Sequence, residues 1–314
     1  MIGDENYKTI YIGGGTPSAL KAGQLKELLE AVKPHSNETV EYTVEINPES
    51  IDEEKAGILK EYGVNRISIG LQSSDERLLK MMNRHHSYDD VKRAVELFRK
   101  NGIGNISLDV LYSLPGQSLG DLKRTVADVL ALEVPHVSLY SLTIEKGTIF
   151  DRLGYRPQDS DTEADMYEYI VRELTAAGYL QYEIANFARE GSQSLHNLAY
   201  WNYDDYRGIS CGAVGKIGHK RYTMTSDLQD YLEKKDAVTI EELSNEEEAF
   251  ENVMMSLRTV YGLDLKLFRE RYGMNFTDRY REAIRKNSDS LLIRDGHCIC
   301  TKREILNSIL IDFM

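Results

Sequence analysis

Cysteine is scarce in this chain of 314 residues: only Cys211, Cys298 and Cys300 occur, which excludes a disulfide framework. Cys298 and Cys300 stand two apart in a stretch that reads as strand. Cα atoms at that spacing lie roughly 6.6 Å apart, at the outer limit for a disulfide, and an iron–sulfur cubane needs about three convergent thiolates or more. The three are therefore expected as buried or half-buried small side chains, not as a metal site. Long apolar runs are missing too. The longest, such as 305–313, carry polar residues and fall well short of the roughly 20 needed to cross a bilayer. No basic region followed by an apolar core opens the chain, so no export signal is expected and the cytoplasm is the expected compartment. Positive charge is in short supply: 38 basic against 51 acidic side chains leave a formal charge of −13. A phosphate backbone or an anionic lipid surface is repelled by such an exterior, and nucleic acid is not an expected partner.

What is present is ordinary for a globular protein, with 41% apolar and 28% charged residues. The length suits one large domain and a smaller one. Apolar, β-rich runs alternate with helical patterns up to about residue 142. Strands are predicted at 9–12, 40–46, 66–70, 106–111 and 137–142, and helices at 20–32, 51–62, 76–82, 88–101 and 119–132. Val91, Ala94, Val95 and Phe98 share one face of the helix 88–101, and Asn101 with Gly102 supplies its stop. Strands that alternate with helices imply a parallel sheet with helices outside, either doubly wound or a barrel. In both architectures ligands collect at the carboxyl ends of the strands. Further on, a helix is predicted over 161–177 and a strand over 182–187. Beyond 241 come helices at 247–257, 265–272 and 278–286, a hairpin around Asp295 and Gly296, and a last helix to 313. Three helices followed by a hairpin resemble a winged-helix module, but the presumed recognition helix mixes Asp and Glu with its arginines, which argues against DNA.

The first motif with chemical content is Gly13, Gly14, Gly15, Thr16, Pro17 and Ser18, directly after a strand. Glycines let a backbone turn tightly and approach a ligand, threonine suits an N-cap and proline the first helical position. Glu45 in VEINPES, Gln72 in GLQSSD and Asp109 in SLDVLYSLPGQ end three successive strands, and Arg84 follows in MMNRHHS. Two carboxylates, an amide and a guanidinium in one mouth suit a zwitterionic ligand with hydroxyls. Any one of them alone reads as a helix cap; their common register with the glycine loop points to binding. His85 and His86 read as a solvated loop, and the acidic run 241–251 as an exposed helix start that favours the helix dipole.

YIGGGTPSAL, VEINPESID, GVNRISIGLQS, LLKMMNRHHS, SLDVLYSLPGQ and VSLYSLTIEKGT stand in the order and spacing of the oxygen-independent coproporphyrinogen III oxidase-like family of radical S-adenosylmethionine (SAM) proteins. The chain resembles that family over nearly its whole length, including LLIRDGHCICTKREILNSILIDFM at the end. The resemblance implies an α/β fold: an incomplete radical-SAM-type (β/α)6 partial barrel lacking its first βα unit over 1–160, a connecting region over 161–240, and a small, mainly helical, winged-helix-like C-terminal domain over 241–314. It implies SAM contacts from Gly14, Gly15, Thr16, Glu45, Gln72, Arg84, Asp109 and Thr143. It further implies a [4Fe–4S] cluster on a CxxxCxxC loop, which offers an open iron to SAM for radical release. The sequence begins about one βα unit too late to contain that loop, so a shortened form of a longer polypeptide is expected, with no metal ligands and no radical chemistry of its own.

A second motif, His196, Asn197, Leu198, Ala199, Tyr200 and Trp201, is followed by YRGISCGA. This HNxxYW pattern resembles the one that marks haem chaperones of the family and sets them apart from true oxidases. The implied role is binding haem, with His196 toward the iron and Tyr200 and Trp201 flanking the macrocycle, and delivering it to an acceptor protein. Without the resemblance, a lone histidine reads as a hydrogen-bonded loop residue. The rival enzyme is a coproporphyrinogen III oxidase that decarboxylates propionates, against which HNxxYW argues. A third reading is an interaction module that has lost SAM chemistry.

Overall fold

Residues 41–46, Glu-Tyr-Thr-Val-Glu-Ile, alternate polar and apolar side chains, and the parallel strands of the first half repeat that period of two. The computed structural model describes residues 5–235 and 237–314. Its first half runs β1 (Thr9–Ile12), α1 (Ala22–Val32), β2 (Glu41–Ile46), α2 (Glu53–Glu61), β3 (Arg66–Gln72), α3 (Glu76–Met81), α4 (Tyr88–Lys100), β4 (Asn105–Tyr112), α5 (Leu119–Ala131) and β5 (His136–Ser141). A short helix α6 (Ile149–Arg152) and the long α7 (Ser160–Ala176) lead to β6 (Leu180–Gln181) and β7 (Asn186–Ala188). The sheet order is β1-β2-β3-β4-β5-β7-β6. The first five strands are parallel, and β7 pairs antiparallel with both β5 and β6.

Local chemistry sets the helix starts. Asp52 accepts from the Lys55 N–H ahead of α2, and reciprocal capping boxes, Ser87 with Asp90 and Ser118 with Asp121, open α4 and α5. One face of the sheet carries Val44, Ile67, Ile69, Ile106, Leu108 and Val137, all fully buried against helix residues such as Leu29, Leu59, Val95 and Phe98. The opposite face is polar and also largely buried. Arg66 Nε lies 3.9 Å from Glu41 Oε2, Ser194 donates to Glu41 at 3.1 Å, and Ser107 Oγ stands 2.8 Å from His136 Nδ1. Burial, with the Arg66 charge nearby, holds the His136 pKa well below the usual imidazole range, so this ring stays neutral. The polar face continues toward the carboxyl ends of the strands: Glu45 is next to last in β2, whereas Asp109, expected at a strand end, stands three residues before the end of β4, which runs on to Tyr112.

Contacts divide the chain into two compact units, one of Glu5–Gln181 with Ala185–Ser194, the other including Tyr182–Ile184 with Leu195–Met314. The second contains α8 (Leu195–Trp201), then β8 (Val214–Ile217), β9 (Lys220–Met224), α9 (Leu228–Glu233) and β10 (Val238–Glu242), the strands forming an antiparallel sheet of order β10-β9-β8. There follow α10 (Asn245–Ser256), β11 (Leu263–Asp264), α11 (Leu265–Tyr272), α12 (Phe276–Arg279), α13 (Arg281–Lys286), β12 (Leu291–Arg294), β13 (His297–Cys300) and α14 (Leu306–Leu310). Its core centres on Phe268, Phe276, Tyr280 and Phe313, whose rings meet at 5.2–6.5 Å. Asp295 and Gly296 have φ of 50° and 80°, the left-handed pair that a tight hairpin requires. Cys298 and Cys300 are buried, as expected, and burial pushes the Cys298 thiol up to about 12.

Three expectations are corrected. The helix read over 278–286 is two short helices broken at Tyr280, which leaves helical geometry to bury its ring. The strand read over 182–187 shrinks to β7, since residues 182–184 pack with the second unit. The helix read from residue 20 begins at Ala22, after a 3₁₀ turn at Pro17–Ala19. The sheet β8–β10 was not foreseen. Among the described residues no helix is long and apolar enough to cross a membrane.

Candidate functional site

Glu45 is the next-to-last residue of β2 and stands opposite Ser68 of β3 in register. Two residues further up, Gly70 of β3 stands opposite Asp109 of β4. Because side chains two apart on a strand share a face, Glu45 and Asp109 lie on the same polar face. Ser68 Oγ donates to Asp109 Oδ2 at 2.8 Å. Glu45 accepts from the Tyr11 hydroxyl at 2.8 Å and from the Gly14 N–H at 3.2 Å, so one carboxylate joins β1, β2 and the glycine loop. Burial pushes Asp109 up to about 6; the Ser68 hydrogen bond and the Arg66 charge oppose the rise, and the Glu45 charge adds to it. The Tyr11 hydroxyl is pushed far up by burial and by the Asp109 and Glu45 charges, and remains a donor.

Gln72 ends β3 at a register irregularity, with φ of 62° in the left-handed region that favours glycine. Its amide folds back so closely that a Cβ on Gly70 would lie 2.8 Å from Nε2. Gln72 is thus brought over the residue opposite Asp109. Backbone strain of this kind costs about 1–3 kcal/mol and concentrates at functional sites.

The glycine loop is held from below. Ser18 is buried, accepts from the Asn47 N–H at 2.9 Å and from the Ser50 hydroxyl at 2.6 Å, and its carbonyl accepts from Lys55 Nζ at 2.7 Å. A Cβ on Gly13 would stand 2.5 Å from the Glu45 carboxyl carbon and displace that carboxylate, and Gly14 is favoured by its φ of 80°. Gly15 meets neither constraint. Thr16 precedes the 3₁₀ turn, with Pro17 in its first turn, but its hydroxyl makes no capping bond, contrary to expectation. Arg84 Nη1 reaches Asn47 Oδ1 at 3.4 Å. Its loop is fixed by His86, which is buried, with Nε2 3.0 Å from the Leu71 carbonyl and Nδ1 3.7 Å from Glu49. Only His85 is exposed as the solvated-loop reading expected. Thr143 lies exposed in the loop after β5. The structure therefore gathers Gly14, Glu45, Gln72, Arg84 and Asp109. Tyr11, Ser68 and Asn47 were missed, although Ser68 was visible as the polar position in the alternation of RISIG.

These groups fit SAM: a guanidinium and backbone N–H groups for a carboxylate, carboxylates for an amine, a sulfonium and hydroxyls, and a loop kept clear of side chains beside Glu45. They do not fit a [4Fe–4S] cluster. The three cysteines lie at 211, 298 and 300, and among the described residues no group of three His, Cys, Asp or Glu could hold a metal ion.

HNxxYW forms α8, a helix where a loop was expected. His196 and Tyr200 are one turn apart and half-buried, with Nε2 3.1 Å from the phenol oxygen and the rings edge to face at 5.0 Å. Tyr200 meets Tyr206 in the same way at 4.6 Å. Trp201 is half-buried, and its carbonyl accepts from Ser256 Oγ at 3.3 Å. Arg271 donates to the carbonyls of Asn202 at 2.7 Å and Tyr203 at 3.2 Å, and pairs with Asp204 at 2.6 Å. The acidic helix start is not wholly solvated either. Glu248 is buried and pairs with Lys216 at 3.2 Å and with His219, while Glu251 accepts from Arg221 and from the Tyr203 hydroxyl at 2.6 Å.

The radical SAM superfamily matches residues 1–129, and the HemN C-terminal domain matches 243–304. The chain is 37% identical over 312 residues to the heme chaperone HemW of Bacillus subtilis, covering 94% of this chain and 81% of that one. It is 39% identical over 289 residues to the heme chaperone HemW of Lactococcus lactis, covering 89% and 76%. Among solved structures, coproporphyrinogen III oxidase (HemN) from Escherichia coli matches with a TM-score of 0.84 over 98% of this chain and 78% of that chain. At 18% identity, that likeness is one of fold.

Proposed function

The chain belongs to the heme chaperone HemW family of the radical SAM superfamily, and on that basis we propose that it binds haem and delivers it to an acceptor protein. The observation that carries the proposal is the HNxxYW helix, where His196, Tyr200 and Tyr206 form a chain of ring contacts on the second unit. A half-buried imidazole is a ligand for haem iron once its bond to the Tyr200 phenol yields, and Tyr200 and Trp201 offer faces and edges to a flat macrocycle. Haem is cargo in this reading, not a catalyst. The protein is read as cytoplasmic, with 1–160 as the barrel, 161–240 as the connecting region that holds the motif, and 241–314 as the C-terminal domain.

SAM is the proposed ligand of the barrel mouth, where it supplies a sulfonium, an amino-acid zwitterion and ribose hydroxyls. Glu45, steadied by the Tyr11 phenol and the Gly14 N–H, takes the amine, and Arg84 takes the carboxylate. Asp109, oriented by Ser68, and Gln72 would hold the sulfonium and the hydroxyls. Thr16 and Thr143 are kept as outer contacts. No step is assigned to an iron–sulfur cluster, whose ligands these residues do not supply. The fold shared with coproporphyrinogen III oxidase leaves decarboxylation as the weaker alternative.

Hemin titrated into the protein is expected to give a shifted Soret band that saturates at one equivalent, and His196→Ala is expected to lose most of it. An unchanged band in His196→Ala removes the histidine from the reading, and no shift in the wild type removes haem.

A further inference from the structure

The left-handed backbone of Gln72 belongs to a three-residue turn. The Ser73 N–H donates to the Leu71 carbonyl at 2.7 Å, two residues back, and Gln72 stands between them with φ of 62°. A turn closed in this way at positive φ is the rare, strained form of the γ-turn, and a residue with a Cβ feels that strain. Such a conformation persists only where its surroundings over-determine it. On one side the turn is held by Ser73, which is buried and whose Oγ accepts from the Asp75 N–H at 3.1 Å at the start of α3.

On the other side the turn is held by His86. Its Nε2 stands 3.0 Å from the same Leu71 carbonyl. A carbonyl oxygen only accepts, so Nε2 carries the hydrogen and the carbonyl receives two donors, one from the turn itself and one from the imidazole. The ring is buried, and its Nδ1 lies 3.7 Å from Glu49 Oε2 without a hydrogen bond. Glu49 sits in the 3₁₀ turn Pro48–Ser50, which the Ser50 hydroxyl ties to Ser18 beneath the glycine loop. The backbone that carries His86 is itself stiff. Asn83 has a left-handed φ of 55°, the Arg84 N–H donates to the Leu79 carbonyl at 2.9 Å, and Ser87 opens α4 with its capping box. One imidazole therefore stands where the end of β3, the turn after β2 and the Arg84 loop meet.

We propose that His86 is a positioning residue of the barrel mouth, whose hydrogen bond to the Leu71 carbonyl holds the strained turn and so keeps the Gln72 amide folded back over Gly70, opposite Asp109. The inference rests on the SAM reading above and adds a residue that touches no ligand. Without the imidazole donor the Leu71 carbonyl keeps only the bond that closes the turn, and the backbone of Gln72 is free to relax toward the negative φ that a residue with a Cβ prefers. The amide then leaves its place beside Asp109. Gly70 has a part in the same arrangement: its nearest neighbour is the Gln72 amide, so a methyl there moves that amide and nothing else.

The test is SAM binding by the full chain in calorimetry. His86→Leu fills the site without a donor and is expected to raise the SAM Kd roughly tenfold. His86→Gln places an amide N–H near the position of Nε2 and is expected to bind within about threefold of the wild type, a rescue that packing alone does not predict. Gly70→Ala leaves His86 in place, displaces the Gln72 amide and is expected to match the loss in His86→Leu. Combining Gly70→Ala with His86→Leu is expected to be little worse than either alone, since both act through one amide. Wild-type affinity in His86→Leu, an equal loss in His86→Gln, or losses that multiply in the double variant each overturn the role of His86 and leave the SAM reading standing. If His86→Leu does not fold, His86→Gln decides: wild-type affinity upholds the donor, and a loss of roughly tenfold overturns it. No SAM binding by the wild type overturns the SAM reading and this role with it.

Discussion

Ser68 donates its hydroxyl hydrogen to Asp109 Oδ2 at 2.8 Å, which ties β3 to β4 on the same face as Glu45. This contact holds a buried carboxyl group with a raised pKa inside β4, and its consequences can be measured.

Asp109 titrates at about 6 in the folded chain, against about 3.9 when unfolded. Between those values the folded state holds the extra proton, so this group's contribution to stability is full below about pH 4 and is lost as pH rises through about 6. Asp109→Asn is expected to match the wild type at pH 4 and to exceed it at pH 7.5 by ~1–3 kcal/mol, provided no ligand is bound. Urea unfolding at the two pH values measures this. A variant less stable than the wild type at pH 7.5 contradicts it.

Alanine substitutions in the glycine loop are expected to separate by mechanism. Gly13→Ala drives a methyl into the Glu45 carboxylate and is expected to abolish SAM binding in calorimetry, at a stability cost of about 1 kcal/mol, because a flexible side chain can give way. Gly14→Ala pays about 1 kcal/mol for its left-handed backbone. Gly15→Ala is expected to change stability by less than about 0.5 kcal/mol, since it meets open space at an ordinary φ.

Glu248→Gln is expected to destabilise by ~2–4 kcal/mol, because it leaves the buried Lys216 ammonium with Asp205 and the Tyr203 ring alone. Lys216→Met combined with Glu248→Leu is expected to recover most of that loss. Thermal midpoints of the single and double variants decide between an ion pair that matters by its charge and one that merely fills space.

Gly208→Ala is expected to cost more than about 2 kcal/mol, since its methyl would meet the backbone carbonyl of Val214 and no side chain there can swing aside. Gly191→Ala serves as the control: it has a left-handed φ but no atom near the added methyl, and is expected to cost about 1 kcal/mol. Comparable losses in the two variants would mean that the Gly208 backbone does not approach the Val214 carbonyl as closely as this.

The parallel strands were legible because each carries an uninterrupted apolar half, as in Ile67 and Ile69 or Leu108 and Val110, that packs under helices with clear stops. Glu45 and Gln72 were legible because they close β2 and β3, whereas Asp109 was read as a strand end and stands inside β4, joined to the others by its face and by Ser68. The sheet β8–β10 was not legible: Ile217, Val238 and Ile240 sit on the exposed face while Lys216 and Arg221 are on the packed one, so the usual assignment of apolar to inside fails there. Tyr280 interrupts a predicted helix because its ring packs between Phe276 and Phe313, contacts that the helical period of 278–286 does not announce. His86 was misread because its partners, the Leu71 carbonyl and Glu49, come from elsewhere in the chain.

The carbonyls that follow the HNxxYW helix are gripped by Ser256 and Arg271, which belong to α10 and α11. The motif is thus suspended from the C-terminal helices. An excised piece that begins at Leu195 would carry its own clamps, whereas trimming the chain after β10 would strip them away and leave the histidine on an unanchored turn.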